Sequence, residues 1–183
     1  MQFGFMPRKG TTDAIFTVGL RQMQEKYGCK GKKLYFAFVD LEKAFDRVHR
    51  EVTRWALRKA GVDEWLVKAV MATYEGVQTV VRTTEGDSKA FIVKVGLHQG
   101  SVLSPLLFVI VMEMISRDLR AGMPLELLYA DDLILMAESE ESLRDKIVKW
   151  KSGLEAKGLK MNTGKTKVMF SCSMKDRVAL WCM

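Results

Sequence analysis

Every position from Leu34 to Val39 is apolar, and the run ends at Asp40. So short a stretch, hydrophobic on both alternating faces, predicts a strand buried on both sides of a sheet. From Glu42 to Ala60 the pattern changes: Phe45, Val48, Val52 and Trp55 recur three or four residues apart, the mark of an amphipathic helix, and Gly61 closes it. Residues 11–28, with Ile15, Val18 and Met23 apolar and Gly28 near the stop, read as an earlier helix, and Asp63 to Tyr74 as another. Val77–Thr83 and Ala90–Val95 are rich in β-branched residues and flank the polar stretch Thr84–Ser88, which predicts a hairpin with Gly86 at a positive-φ position. Ser104-Pro105 reads as an N-cap followed by proline in the first turn, opening an almost wholly apolar and therefore buried helix that runs to about Arg120.

Two further apolar runs, Leu125–Leu128 and Leu133–Met136, meet at Tyr129-Ala130-Asp131-Asp132. A tight hairpin there holds two adjacent carboxylates at its tip. Ser139 is placed to cap a helix with Glu140 and Glu141 in its first turn, an apolar stripe of Leu143, Ile147, Trp150 and Leu154, and Gly158 just past its end. Lys165–Phe170 reads as a last strand. The order strand, helices, hairpin, helix, hairpin, helix, strand predicts an α+β fold: an antiparallel sheet with helices packed on one face, its open face presenting the acids.

With 183 residues, 48% of them hydrophobic, the chain is large enough for one sizeable core. Its 29 Lys and Arg against 22 Asp and Glu give a net charge of +7, which favours a polyanionic partner and equally describes a solvated surface. Cys29, Cys172 and Cys182 are odd in number and form no Cys-x-x-Cys pair, against both a disulfide framework and a zinc site. A reducing, intracellular compartment fits, nuclear or cytoplasmic. The longest apolar run, Leu106–Met112, is far short of the roughly 20 residues a membrane helix needs, so no membrane is expected as a partner. Arg8 and Lys9 lead into polar Thr11-Thr12-Asp13, so no signal peptide is expected either.

Asp40, Asp131 and Asp132 thus arrive at two strand ends. Carboxylates so delivered can hold divalent cations about 3.5–4 Å apart, the arrangement that carries in-line phosphoryl displacement. The alternative for each is local: Asp is a favoured turn residue and a favoured helix cap.

Taken in order, Phe38-Val39-Asp40-Leu41-Glu42-Lys43-Ala44-Phe45-Asp46, Gln99-Gly100-Ser101-Val102-Leu103-Ser104-Pro105, Tyr129-Ala130-Asp131-Asp132, and Gly158-Leu159-Lys160-Met161-Asn162 with Lys165-Thr166-Lys167 resemble four successive motifs of the reverse transcriptase palm. The opening Gln2–Pro7 and Thr11–Ala14 resemble the stretch before the palm in non-LTR (LINE-like) retrotransposons, so the resemblance spans about Gln2 to Phe170. It implies a polymerase palm of ferredoxin-like architecture, an RNA template, a DNA primer and deoxynucleoside triphosphates. It also implies two magnesium ions, replaceable by manganese, held mainly by Asp40 and Asp131 with Asp132 as a weaker ligand. Leu41 would add a backbone carbonyl. Phe45 matches the bulky ring that lies beneath the incoming sugar and excludes a 2′-hydroxyl, while its place on the apolar helix face equally makes it core. Gln99 and Gly100 match the segment beside nucleotide and template, or form a plain loop. Lys165 matches the lysine near the triphosphate that can protonate pyrophosphate, or is a solvated lysine beside Lys160 and Lys167. Gly164-Lys165-Thr166 is not a P-loop, because the required earlier glycine falls on Leu159 and a strand, not a helix, follows.

On this reading 1–32 is a partial fingers segment, 33–170 the palm and 171–183 a truncated tail, the whole being an incomplete fragment. Met6 stands where many relatives carry Arg, and His49 where many carry Pro. The alternative function is a catalytically silent nucleic-acid-binding module or retroelement remnant, since a sheet with helices on one face also binds RNA.

Overall fold

The computed structural model describes residues 33–120, 126–171 and 179–182; the predicted helix at 11–28 and the segment 1–32 lie outside them. In chain order the elements are β1 (Leu34–Val39), α1 (Ala44–Arg47), α2 (Arg50–Lys59) and α3 (Glu64–Ala72). The short strands β2 (Gln78–Thr79), β3 (Arg82–Thr83), β4 (Gly86–Asp87) and β5 (Phe91–Ile92) follow. Then come α4 (Leu103–Leu119), β6 (Glu126–Tyr129), β7 (Asp132–Ala137), α5 (Glu140–Glu155), β8 (Lys167–Ser171) and β9 (Ala179–Cys182).

Five strands form one sheet in the order β6-β7-β1-β8-β9, antiparallel at every junction, so β1 is central. That position explains its uninterrupted apolar run: Ala37 and Val39 point into the main core beneath α4 and α5, while Leu34 and Phe36 point to the other face. The main core gathers Phe108, Val111 and Met112 of α4 with Leu143, Trp150 and Leu154 of α5, all buried. The second face is not open along its length as the sequence suggested. Leu34, Phe36 and Met136 form a small buried cluster there, edged by half-buried Phe38, Ile134 and Met169, and exposure rises along β1 and β7 toward the Asp40 end.

Three predicted elements differ. The helix expected over 42–60 is broken at Val48, which is extended (φ −69°, ψ 112°), because residues 95–97 pair with the break. Leu97 N–H bonds to the Phe45 carbonyl at 2.9 Å and Gly96 N–H to the Val48 carbonyl at 3.0 Å, satisfying acceptors that a continuous helix would use internally. The hairpin predicted over 77–95 exists as two fragments, β2 with β5 and β3 with β4, and its turn tightens to Thr84-Glu85 before Gly86 at φ 123°. At the start of α4, Val102 is the N-cap residue and Ser101 Oγ accepts the Leu103 N–H; Ser104 instead donates its hydroxyl to the His98 carbonyl at 2.6 Å. Of the 17 residues of α4 eight are buried, whereas Leu103 and Leu106 in its first turn are exposed.

Other expectations hold. Ser139 accepts the Ser142 N–H at 3.2 Å and caps α5. β9, unforeseen, adds a fifth strand from the segment read as a tail. Among the described residues no helix is long and apolar enough to cross a membrane.

Candidate active site

The paired strands carry the acids to one end of the sheet. In the β1–β7 ladder Val39 faces Leu133, so the next step brings Asp40 level with Asp132. Asp131 lies instead in the two-residue turn Ala130-Asp131 that joins β6 to β7, where Ala130 takes the left-handed conformation at φ 54°. The ladder thus sets Asp132, one residue beyond the turn, level with Asp40. Side-chain alternation settles the face. Leu133 and Leu135 enter the core beneath the helices, so Asp132 shares the opposite face with Ile134 and Met136, and Asp40 shares it with Phe38.

Asp40 and Asp131 are half-buried and Asp132 is solvent-accessible. Even so, the Asp132 carboxyl is pushed above the ordinary carboxylate range, first by burial of its charged form, then by repulsion from Asp131 and from Asp40. Asp132 thus feels the charge of both other acids. Among the described residues no three acidic, histidine or cysteine side chains form a ready-made metal cage. Magnesium does not require one, since it typically keeps waters and takes one or two carboxylates together with substrate phosphates. The hard oxygen donors at this sheet end suit such an ion.

Leu41 bridges to Met161: Glu42 N–H reaches the Lys160 carbonyl and Asn162 N–H reaches the Asp40 carbonyl, each at 2.9 Å. Because successive residues of an extended strand bond to opposite edges, the Leu41 carbonyl is directed away from 160–162, to the edge where β7 lies. Lys165 sits in the turn before β8, its backbone N–H held by Asn162 and its side chain exposed. β8 begins opposite Phe38, so Lys165 lies at the same sheet end as Asp40.

Phe45 is half-buried, its ring stacked on buried Phe108 with centroids 4.5 Å apart and planes 18° from parallel. It therefore leans on the core without entering it. Gln99 and Gly100 are exposed. Gly100 has φ 80° and no atom within 4 Å of where a Cβ would stand, so its requirement is conformational and the space before it is free.

Sequence reasoning missed four contacts near the site. Asp46 Oδ1 accepts a hydrogen bond from Gln99 Nε2 at 2.8 Å. Glu42 binds both Arg47 (3.0 Å) and Lys160 (3.2 Å), so Lys160 is paired and not merely solvated. His98 stacks on Tyr74 with centroids 4.3 Å apart. Asp46, Gln99, Glu42 and Lys160 all stand inside the quoted motifs, but nothing in their spacing joins them.

The chain is 32% identical over 174 residues to the Pol polyprotein of a type-2 retrotransposable element of Drosophila melanogaster, a match covering 90% of this chain and 16% of that protein. It is 33% identical over 150 residues to the Pol polyprotein of a type-1 retrotransposable element of Nasonia vitripennis, covering 78% of this chain and 15% of that one. The chain thus spans about a sixth of the length of these relatives. In fold it resembles telomerase from Candida tropicalis, solved with a fragment of telomeric RNA, at TM-score 0.71 and 20% identity over 88% of this chain and 30% of that one. The apo telomerase of the same organism gives TM-score 0.71 at 16% identity, over 93% of this chain and 36% of that one. A family model described as reverse transcriptase (RNA-dependent DNA polymerase) matches residues 1–178, nearly the whole chain, and with it the ordered motifs, the antiparallel sheet and the acid-bearing strand ends find one explanation: this chain belongs to the reverse transcriptase family.

Proposed function

We propose that this chain is the palm of an RNA-directed DNA polymerase of a non-LTR retrotransposon, adding deoxynucleotides to a primer 3′-hydroxyl on an RNA template. The observation that carries this reading is the convergence of Asp40, Asp131 and Asp132 on one end of the sheet, with the Asp132 carboxyl raised by burial and then by the other two. Two magnesium ions, replaceable by manganese, would supply activation of the hydroxyl and neutralisation of the triphosphate. Asp40 and Asp131 would hold them, Asp132 would add a weaker contact, and the Leu41 carbonyl would complete the set. Lys165 would hold the proton that the departing pyrophosphate takes up. The exposed edge of the Phe45 ring would close the space that a 2′-hydroxyl needs, and Gln99 with Gly100 would border the nascent base pair.

The reading of the chain as a silent RNA-binding sheet would want exposed aromatic rings on the free face. Phe36 is fully buried there and Phe38 half-buried, which favours the polymerase.

The test is Asp131→Asn in the complete reading frame that encodes this chain. The change removes a metal ligand at nearly constant volume, so primer extension should vanish while metal-free binding to primer–template persists or strengthens, one repelling charge having gone. Undiminished extension would end the catalytic assignment.

A further inference from the structure

Four contacts fasten the α1 region to the loop that precedes α4. His49 bridges Val95, Gly96 N–H reaches the Val48 carbonyl, Leu97 N–H reaches the Phe45 carbonyl, and Asp46 Oδ1 accepts from Gln99 Nε2. The break at Val48 is what makes this possible. In an unbroken helix the Phe45 carbonyl would accept from residue 49, whereas here it is released to Leu97.

Gly96 brings the two backbones together. It has φ 97°, and a Cβ there would stand 3.1 Å from the Asp46 carbonyl oxygen and 3.2 Å from Asp46 Cα. The Asp46 backbone is thus pinned beneath the loop, and its side chain meets Gln99 from a fixed base. A primary amide can turn half a circle about its last bond and exchange donor for acceptor. A carboxylate only accepts, so Asp46 keeps the nitrogen of Gln99 on its own side and leaves the carbonyl oxygen for whatever lies beyond.

We propose that Asp46 is a positioning residue that fixes which edge of the Gln99 amide meets the incoming nucleotide and its template base. The inference rests on the polymerase reading for the identity of the ligand, and on the Asp46–Gln99 contact for the mechanism. Asp46 itself touches no substrate. It selects one of two amide orientations in advance, so the loss of this residue should weaken nucleotide capture and leave the chemical step largely intact.

Two measurements test it separately. In the 183-residue chain, the side-chain amide signals of Gln99 followed by NMR should shift and exchange faster with solvent in Asp46→Ala, and move less in Asp46→Asn, which can still accept but no longer excludes the turned amide. Unchanged Gln99 signals in Asp46→Ala overturn the contact whatever the enzyme does. In the complete reading frame, single-nucleotide extension should show KM for the correct deoxynucleotide raised about tenfold in Asp46→Ala with kcat nearly constant, the size of one charge-assisted hydrogen bond. Gln99→Ala should lose at least as much, the double variant should be no worse than Gln99→Ala, and Asp46→Asn, whose amide can donate as well as accept, should recover only part of the loss. A lowered melting temperature with unchanged KM would make Asp46 merely structural, and multiplied effects in the double variant would make the two residues independent; either result overturns the proposal. A native enzyme that extends no primer, with the Gln99 signals behaving as described, would instead remove the polymerase reading and the nucleotide role with it.

Discussion

Truncating Phe45 to alanine separates two roles that the sequence left open. A fully buried Phe→Ala change costs about 3–5 kcal/mol through lost transfer energy and the cavity left behind. Phe45 is only half-buried, with one face on Phe108 at 4.5 Å, so about half that cost applies, ~2 kcal/mol, of which the ring pair accounts for about 1 kcal/mol. In a domain of this size that corresponds to a melting temperature lower by about 4–8 °C. Phe108→Ala, in a side chain with no exposure, should cost about twice as much and provides the internal scale. Melting is read on the chain by calorimetry or circular dichroism. In the complete reading frame, the ratio of kcat/KM for deoxy- to ribonucleotides should fall at least tenfold in Phe45→Ala, a change of about 1.4 kcal/mol in discrimination. Unchanged sugar discrimination together with a stability loss equal to that of Phe108→Ala would refute the reasoning and return Phe45 to the core.

Two further outcomes follow from the same geometry. The Asp132 carboxyl is raised in the folded state, so its ionisation opposes folding; this cost is absent in acid and grows as pH rises through the raised value. Without metal, Asp132→Asn should therefore gain on the parent as pH rises from the ordinary Asp value near 3.9 and keep a constant lead once the raised value is passed, and magnesium should stabilise the parent more than the variant; a pH-independent difference would show that neither burial nor the neighbouring acids raise Asp132. Gly96→Ala should destabilise by about 1–3 kcal/mol through its positive φ and by more through contact with the Asp46 backbone, whereas Gly61→Ala, also at positive φ but with nothing within 4 Å, should show the conformational cost alone. Equal losses at the two glycines, measured by chemical denaturation, would deny the close approach.

What the sequence made legible was local or periodic. The apolar block of β1, the paired runs around Asp131-Asp132, and the capped stripe of α5 each announce themselves within a few residues, and they placed the acids at strand ends. The break at Val48 was hidden because residues 95–97 impose it from a distance, while Val48 and Val52 keep an apolar face across the interruption. The hairpin fragments β2 to β5 are exposed throughout, so no burial pattern marked their bounds. The partner of Asp40 depends on ladder register, which adjacency within Asp131-Asp132 does not reveal. Asp46 and Gln99, 53 residues apart, lie in separate motifs and meet only after the chain folds.

Ala130 stands at φ 54° between Tyr129 and the two acids, a conformation that non-glycine residues rarely adopt. Its methyl group is tolerated there, a β-branched side chain would be an outlier, and glycine would remove the strain. Residue 130 therefore acts on the carboxylates through main-chain torsion, its methyl group being buried. Replacing it would re-aim Asp131 and Asp132 together, from a position that lends the site no carboxylate of its own.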